Sequence, residues 1–206
     1  MSSPTLLHLD ASPRGARSQS RTVALEFAKA WLAARPGSTV QTLDLGVNPP
    51  PFVTEPWVEG AFTAPAGHSP GAKKAIAVSD AYVAQLLGAG HLLISTPMYN
   101  LSVPAALKAW IDQIVRFGLT FEKGPDGFRG LVKGVAATVV IASGSDFRPD
   151  TPAGGYNFVV PYLRAILGFI GITDVRFIHV HSLNVDGEAR RRILADAEAE
   201  ARGLAA

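Results

Sequence analysis

Five short runs with strand character are spread from end to end of the chain, and stretches of helical periodicity lie between them. "TLLHLD" (5–10), "STVQTLDL" (38–45), "HLLIST" (91–96), "GVAATVVIAS" (134–143) and "DVRFIHVHSL" (174–183) read as the strands. After the first, Val23, Phe27, Ala30, Trp31 and Ala34 recur at helical spacing until "RPG" at 35–37 stops the helix. Further helices are predicted over 72–88, over 103–117, near 155–170 and from 187 onward. In the 103–117 helix Leu107, Trp110, Ile111, Ile114 and Val115 share one face. Lys108, Asp112 and Arg116 stand four apart and predict an exposed charge ladder on another. Strands that stay apolar without alternation are buried on both faces, as in a parallel sheet between two helix layers. The pattern predicts an α/β domain with a doubly wound, five-stranded parallel sheet in the order 2-1-3-4-5 and helices on both faces. At 206 residues the chain is too short for an eight-unit barrel. No repeat or second domain is visible, so residues 1–206 read as one domain.

Composition narrows the chemistry. The chain has no cysteine, which removes disulfides, thiolate metal sites and cysteine nucleophiles. The net charge is +2, and no basic stripe with interleaved aromatics is present, so nucleic acid is not an expected partner. The one dense charge run, "EARRR" at 188–192, reads as a solvated face at the head of the last helix. No stretch has the length needed to cross a bilayer, and "MSSPTLLHLDASPRG" lacks the basic start and long apolar core of a signal peptide. The expectation is a soluble, cytoplasmic protein without membrane contact. A proline-rich segment at 48–71, carrying Phe52, Trp57 and Phe62, reads as a long, partly ordered loop over the same domain.

In a doubly wound sheet ligands bind beyond the carboxyl ends of the strands, so the tips of strands one, three and four are the places to search. The first tip, "DASPRGARSQSRT" (10–22), contains neither G-x-G-x-x-G nor a triphosphate P-loop. It does set Ser18-Gln19-Ser20 just before a helix, with Arg14, Arg17 and Arg21 nearby. Free amides, a positive helix end and two hydroxyls make a seat for one terminal phosphate monoester. Equally, Ser18 or Ser20 is a plain N-cap. The second tip, "STPMYNLSVP" (95–104), places large side chains on what should be a polar rim. Pro97 and Pro104 stiffen the path between them. Met98, Tyr99 and Leu101 supply a wall for a planar ring, with Asn100 and nearby amides at its polar edge, or else they cap the core. The third tip, "SGSDFRPDTPAGG" (143–155), is glycine-rich, and Gly144 admits a ligand close to the backbone or makes a simple turn. A phosphate seat and an aromatic-walled slot together have the shape of FMN.

"PMYNLSVPAALKAWID" (97–112) resembles the P-x-Y-N-x-x-x-P-x-x-L-K-x-x-x-D signature of flavodoxin-like NAD(P)H:quinone reductases. With Ser12, Ser18-Gln19-Ser20 and "PYLRAILGFIGITDVRF" (161–177), nearly the whole chain resembles the bacterial FMN-dependent NADH:azoreductase family. The resemblance implies a flavodoxin-like homodimer that uses FMN and takes electrons from NADH or NADPH. It assigns Ser12, Ser18, Gln19 and Ser20 to the FMN phosphate and ribityl chain, and Pro97, Met98, Tyr99, Asn100 and Leu101 to the segment lining the isoalloxazine. Ser143, Gly144, Ser145 and Asp146 take the third flavin-contact loop. Phe121 and Phe169 fall where such enzymes place aromatics near the ring, some of them from the partner subunit. Two departures stand out. Leu101 replaces a usual phenylalanine, and Ser143-Gly144-Ser145-Asp146 replaces Ser-Arg-Gly-Gly. An Asp146 aimed at the flavin would lower its redox potential, whereas one aimed at solvent would do nothing.

The implied reaction is a two-electron, ping-pong hydride transfer from the nicotinamide to a quinone or azo compound. No nucleophile is needed; Tyr99 and Asn100 are the candidates for contact with the reacting atoms, and the proton comes from water or Tyr99. His179 and His181 share a strand face without an evident carboxylate partner, so they read as structural and no metal is expected. A flavodoxin-like electron carrier and a flavin-binding regulatory protein without turnover are the competing readings.

Overall fold

The computed structural model describes residues 3–206; Met1 and Ser2, which the expected 1–206 domain includes, lie outside the described residues. Its main sheet is built from β1 (Thr5–Asp10), β2 (Thr39–Asp44), β3 (His91–Pro97), β6 (Ala136–Ala142) and β7 (Val175–Val180). All neighbours are parallel, in the order β2-β1-β3-β6-β7. Counted within the sheet, this is the 2-1-3-4-5 order that the alternation predicts.

Strand pleating divides the core in two, because successive side chains point to opposite faces. Leu7, Leu9, Leu92, Ile94, Val139 and Ile141 face one layer, formed by α3 (Pro70–Leu87), α4 (Ala105–Ile114) and α5 (Val159–Ile170). Leu6, Leu93, Val140, Ile178 and Val180 face the other, formed by α1 (Gln19–Ala34) and α6 (Gly187–Ala205). α1 and α6 meet through small residues, with Ala24, Ala28, Ala197, Ala201 and Ala205 all buried. Their carboxyl ends are tied together where Arg35 donates to the carbonyl of Ala205 at 2.7 Å. The two helices therefore run the same way and start at the same edge of the sheet.

Three regions differ from the sequence expectation. The proline-rich segment is not just a loop but carries α2 (Glu55–Phe62), with Pro56 in the first turn, where a proline is tolerated. Trp57 is buried and its indole N–H donates to Gln113 Oε1 at 2.8 Å, while Gln113 Nε2 donates to the carbonyl of Pro51 at 2.8 Å. Arg116 is the second difference. Lys108 does pair with Asp112 at 2.6 Å, but Arg116 leaves the ladder. It lies just past the end of α4, is buried, and reaches Ser79 Oγ (2.7 Å) and Asp80 (3.1 Å) on α3. The helix stops before the ladder can reach its third rung. An antiparallel hairpin, β4 (Phe121–Gly124) and β5 (Gly127–Gly130), was also not expected.

Candidate active site

The β1 tip is held by a buried charge cluster. Asp10 Oδ1 accepts the amide of Ser12 at 3.1 Å, and its other oxygen pairs with Arg21 Nε. Arg21 also reaches Asp44 Oδ2 at the β2 tip (2.6 Å). Burial pushes the Asp10 carboxyl up, against the Ser12 amide and Arg21, which pull it down. Gly46 sits so close to this loop that a Cβ there would come within 2.5 Å of the Ser12 carbonyl. Arg21 is thus a structural cation, and the loop from 12 to 18 is fixed in place.

At the head of α1 the structure shows the cap on Ser18. Ser18 is the N-cap, accepting the amide of Arg21 at 3.2 Å, and its hydroxyl lies 3.2 Å from that of Ser20. The Gln19 and Ser20 amides have no intrahelical acceptor, being the first residues of the helix. Ser12, Ser18 and Ser20 are all buried.

At the β3 tip the chain makes a tight reversal. Tyr99 and Ser102 exchange both backbone hydrogen bonds at 3.0 Å, and the residues between them, Asn100 (φ 47°) and Leu101 (φ 72°), are both left-handed. Two positive φ values in a two-residue loop define a type I′ turn, for which asparagine suits the first central position. Leucine at the second is strained by about 1 kcal/mol or more. The turn is tied to its surroundings by Met98 N to Ala142 O (2.8 Å) and Phe158 N to Leu101 O (3.1 Å). Met98 packs against the core, whereas Tyr99 stays 41% exposed.

The β6 tip runs beside the β7 tip. Leu183 N donates to Ser143 O and Asn184 N to Gly144 O, each at 3.1 Å. A Cβ on Gly144 would meet the Asn184 side chain at 2.6 Å, so glycine here serves an approach between two loops.

These tips enclose a cleft of about 240 Å³. The expected residues Ser12, Ser18, Gln19, Ser20, Pro97, Met98, Tyr99, Ser143 and Gly144 line it together. Asn100 and Leu101 form the adjoining turn without lining the cavity, and Ser145 continues the third loop as an exposed residue. Asp146 turns away: Arg148 engages both its oxygens (2.6 Å at the closest), which holds the carboxyl down at about 2. It also faces His181 Nδ1 at 3.6 Å, so His181 does have a carboxylate neighbour. Burial lowers the neighbouring His179. Phe121 and Phe169 lie outside the cleft, their rings 4.7 Å apart in a cluster with Phe117 and Phe128 around the hairpin. Reading three tips alone misses the β7 tip. Leu183, Asn184 and Arg190 line the cleft beside Arg14, and the strand order itself, which puts β7 next to β6, was the signal that could have found them.

Residues 4–204 match the model of the Flavodoxin_2 family, described as a flavodoxin-like fold. The chain belongs to that family. It is 48% identical over 194 residues to a protein of Trichormus variabilis named FMN-dependent NADH:quinone oxidoreductase 2, covering 94% of each. It is 47% identical over 175 residues to FMN-dependent NADH:quinone oxidoreductase 2 of Jannaschia sp., covering 85% of this chain and 84% of that one. Among solved structures it is similar to azoreductase AzrA, with a TM-score of 0.89, 30% identity and 98% of both chains covered. An azoreductase from Bacillus anthracis gives a TM-score of 0.89 at 29% identity, again over 98% of both chains.

Proposed function

We propose that this protein is an FMN-dependent NAD(P)H oxidoreductase that reduces quinones, azo compounds or both by two-electron ping-pong transfer. The single observation that carries the reading is the cleft itself. It joins a helix head bearing free amides and buried serines to a wall of Met98 and Tyr99, across the tips of four adjacent strands, β1, β3, β6 and β7. The names of the relatives support the same cofactor, donor and acceptor.

The residues present fit FMN. Ser12, Ser18, Gln19 and Ser20 would hold its phosphate and ribityl chain, and Pro97, Met98 and Tyr99 with Ser143 and Gly144 would frame the ring, the turn at Asn100 and Leu101 adjoining it. When bound, FMN supplies hydride chemistry that the side chains of this protein lack. The turn at 99–102 keeps the amides of Asn100 and Leu101 unspent within itself, available for a polar ring edge. Leu101 offers aliphatic packing where an aromatic would stack. Asp146, paired with Arg148, adds no free negative charge to the cleft. Proton supply is assigned to water or the Tyr99 hydroxyl, since Tyr99 is the exposed protic group on the wall.

The proposal includes one flavin-binding domain, a homodimer and a cytoplasmic location, where NADH is regenerated. Among the described residues no helix is long and apolar enough to cross a membrane. Support for the dimer comes from the hairpin: Phe117, Leu119 and Phe128 are 56%, 40% and 66% exposed, an apolar patch that a second copy would cover. Through it Phe121 and Phe169 of one copy would approach the cleft of the other.

The test is a visible spectrum of the purified protein followed by quinone-dependent NADH oxidation with and without added FMN. A yellow protein, turnover and parallel double-reciprocal lines are expected. Flavin binding without turnover would instead favour a carrier or regulator, and intersecting lines would contradict the ping-pong scheme.

A further inference from the structure

The arginine run at 188–192 is not a uniform solvated face. Arg191 and Arg192 are exposed, and Arg192 pairs with Glu188 at 3.3 Å. Arg190 instead is half-buried and lines the cleft together with Ser12, Ser18, Gln19 and Ser20. One of its terminal nitrogens donates to the carbonyl of Leu183 at 3.3 Å. That contact orders the side chain and leaves the rest of the guanidinium fork uncommitted. No carboxylate lies within ion-pair distance of it among the described residues.

The position is one that favours an anion. Arg190 sits one turn into α6, near the positive end of that helix, and α1 begins beside it with a second positive end. Arg14 lines the same cavity. Two helix heads and two guanidiniums around one space give it a positive potential that suits an anion. A planar fork tethered by one nitrogen suits bidentate capture of a phosphate oxygen pair.

We propose that Arg190 is a cofactor-anchoring residue whose guanidinium holds the terminal phosphate monoester of FMN, completing from α6 the seat that the serines form from α1. This rests on the flavin reading above. It makes Arg190 one of the residues that distinguish FMN from riboflavin, which has the same ring and ribityl chain but no phosphate, beside the serines of the α1 head.

Flavin-free protein titrated with FMN and with riboflavin, followed by quenching of flavin fluorescence at low and high salt, tests the assignment. The unsubstituted protein should prefer FMN. Arg190→Gln should weaken FMN binding about tenfold or more, flatten its salt dependence, and leave riboflavin affinity unchanged. Arg190→Lys, which keeps the charge and loses the fork, should recover part of the loss. Equal weakening of both flavins would overturn the proposal and make Arg190 a support for the Leu183 loop only. An unchanged FMN affinity would also overturn it. If the unsubstituted protein binds neither flavin, the flavin reading fails, and the Arg190 assignment with it.

Discussion

Leu101 holds a left-handed conformation that leucine seldom adopts, in a turn where asparagine or glycine would be at ease. Nothing in the core demands it, since the side chain is only half-buried. Backbone strain of this kind persists where a loop is shaped for another task, which in the function proposed above is to present the amides at 100 and 101. Leu101→Asn should therefore stabilise the fold by about 1 kcal/mol, read as a higher urea midpoint. Leu101→Val, β-branched and worse suited to positive φ, should lower it. The sequence shows that residues 97–104 are unusual, and Pro97 and Pro104 show why the path is stiff. That Leu101 carries the positive φ is invisible in the letters, because leucine announces no turn.

The hairpin β4–β5 hangs on two glycines. Gly130 approaches Gly171 so closely that a Cβ at 130 would lie 2.1 Å from the Gly171 amide nitrogen, and Gly171 ends α5 at φ 107°. Val132 N donates to Ile170 O at 2.9 Å alongside. Backbone cannot swing aside as a side chain can, so Gly130→Ala should cost about 3 kcal/mol or detach the hairpin. Thermal denaturation, with proteolysis between 121 and 130, measures which. Strands and helices of the main sheet were legible because apolar runs and 3.6-residue spacing alternate without interruption. The hairpin was not: its strands have four residues each, none of them fully buried, and Phe121 and Phe128 are their only apolar side chains. α2 was hidden behind prolines. Arg190 was hidden differently, since three adjacent arginines do not say which one faces inward until the phase of α6 against α1 is fixed.

Over the molecule as a whole, acid should be the weak side. His8 lies between the sheet and α1, hydrogen-bonded to Ser95 Oγ (3.1 Å), and His91 lies against Phe27 and Thr138 Oγ1 (3.0 Å). Burial first, then nearby Arg21 or Arg35, holds each imidazole down at about 4, against 6.5 when unfolded. Between those values the unfolded chain binds more protons, so stability is complete above about pH 6.5 and falls as pH drops toward 4. Each histidine contributes about 3 kcal/mol to that fall. Urea midpoints at stepped pH should show a steep decline in this window, and a flat profile there would mean the imidazoles are reachable by water.

The cleft draws its walls from residues 12–20 at one end of the chain and 183–190 at the other. A ribosome that has just released β6 has therefore synthesised only part of the pocket, however well the first four strands have paired. With the flavin seated as proposed, cofactor capture becomes a late event in biogenesis, and a prematurely terminated polypeptide would emerge colourless.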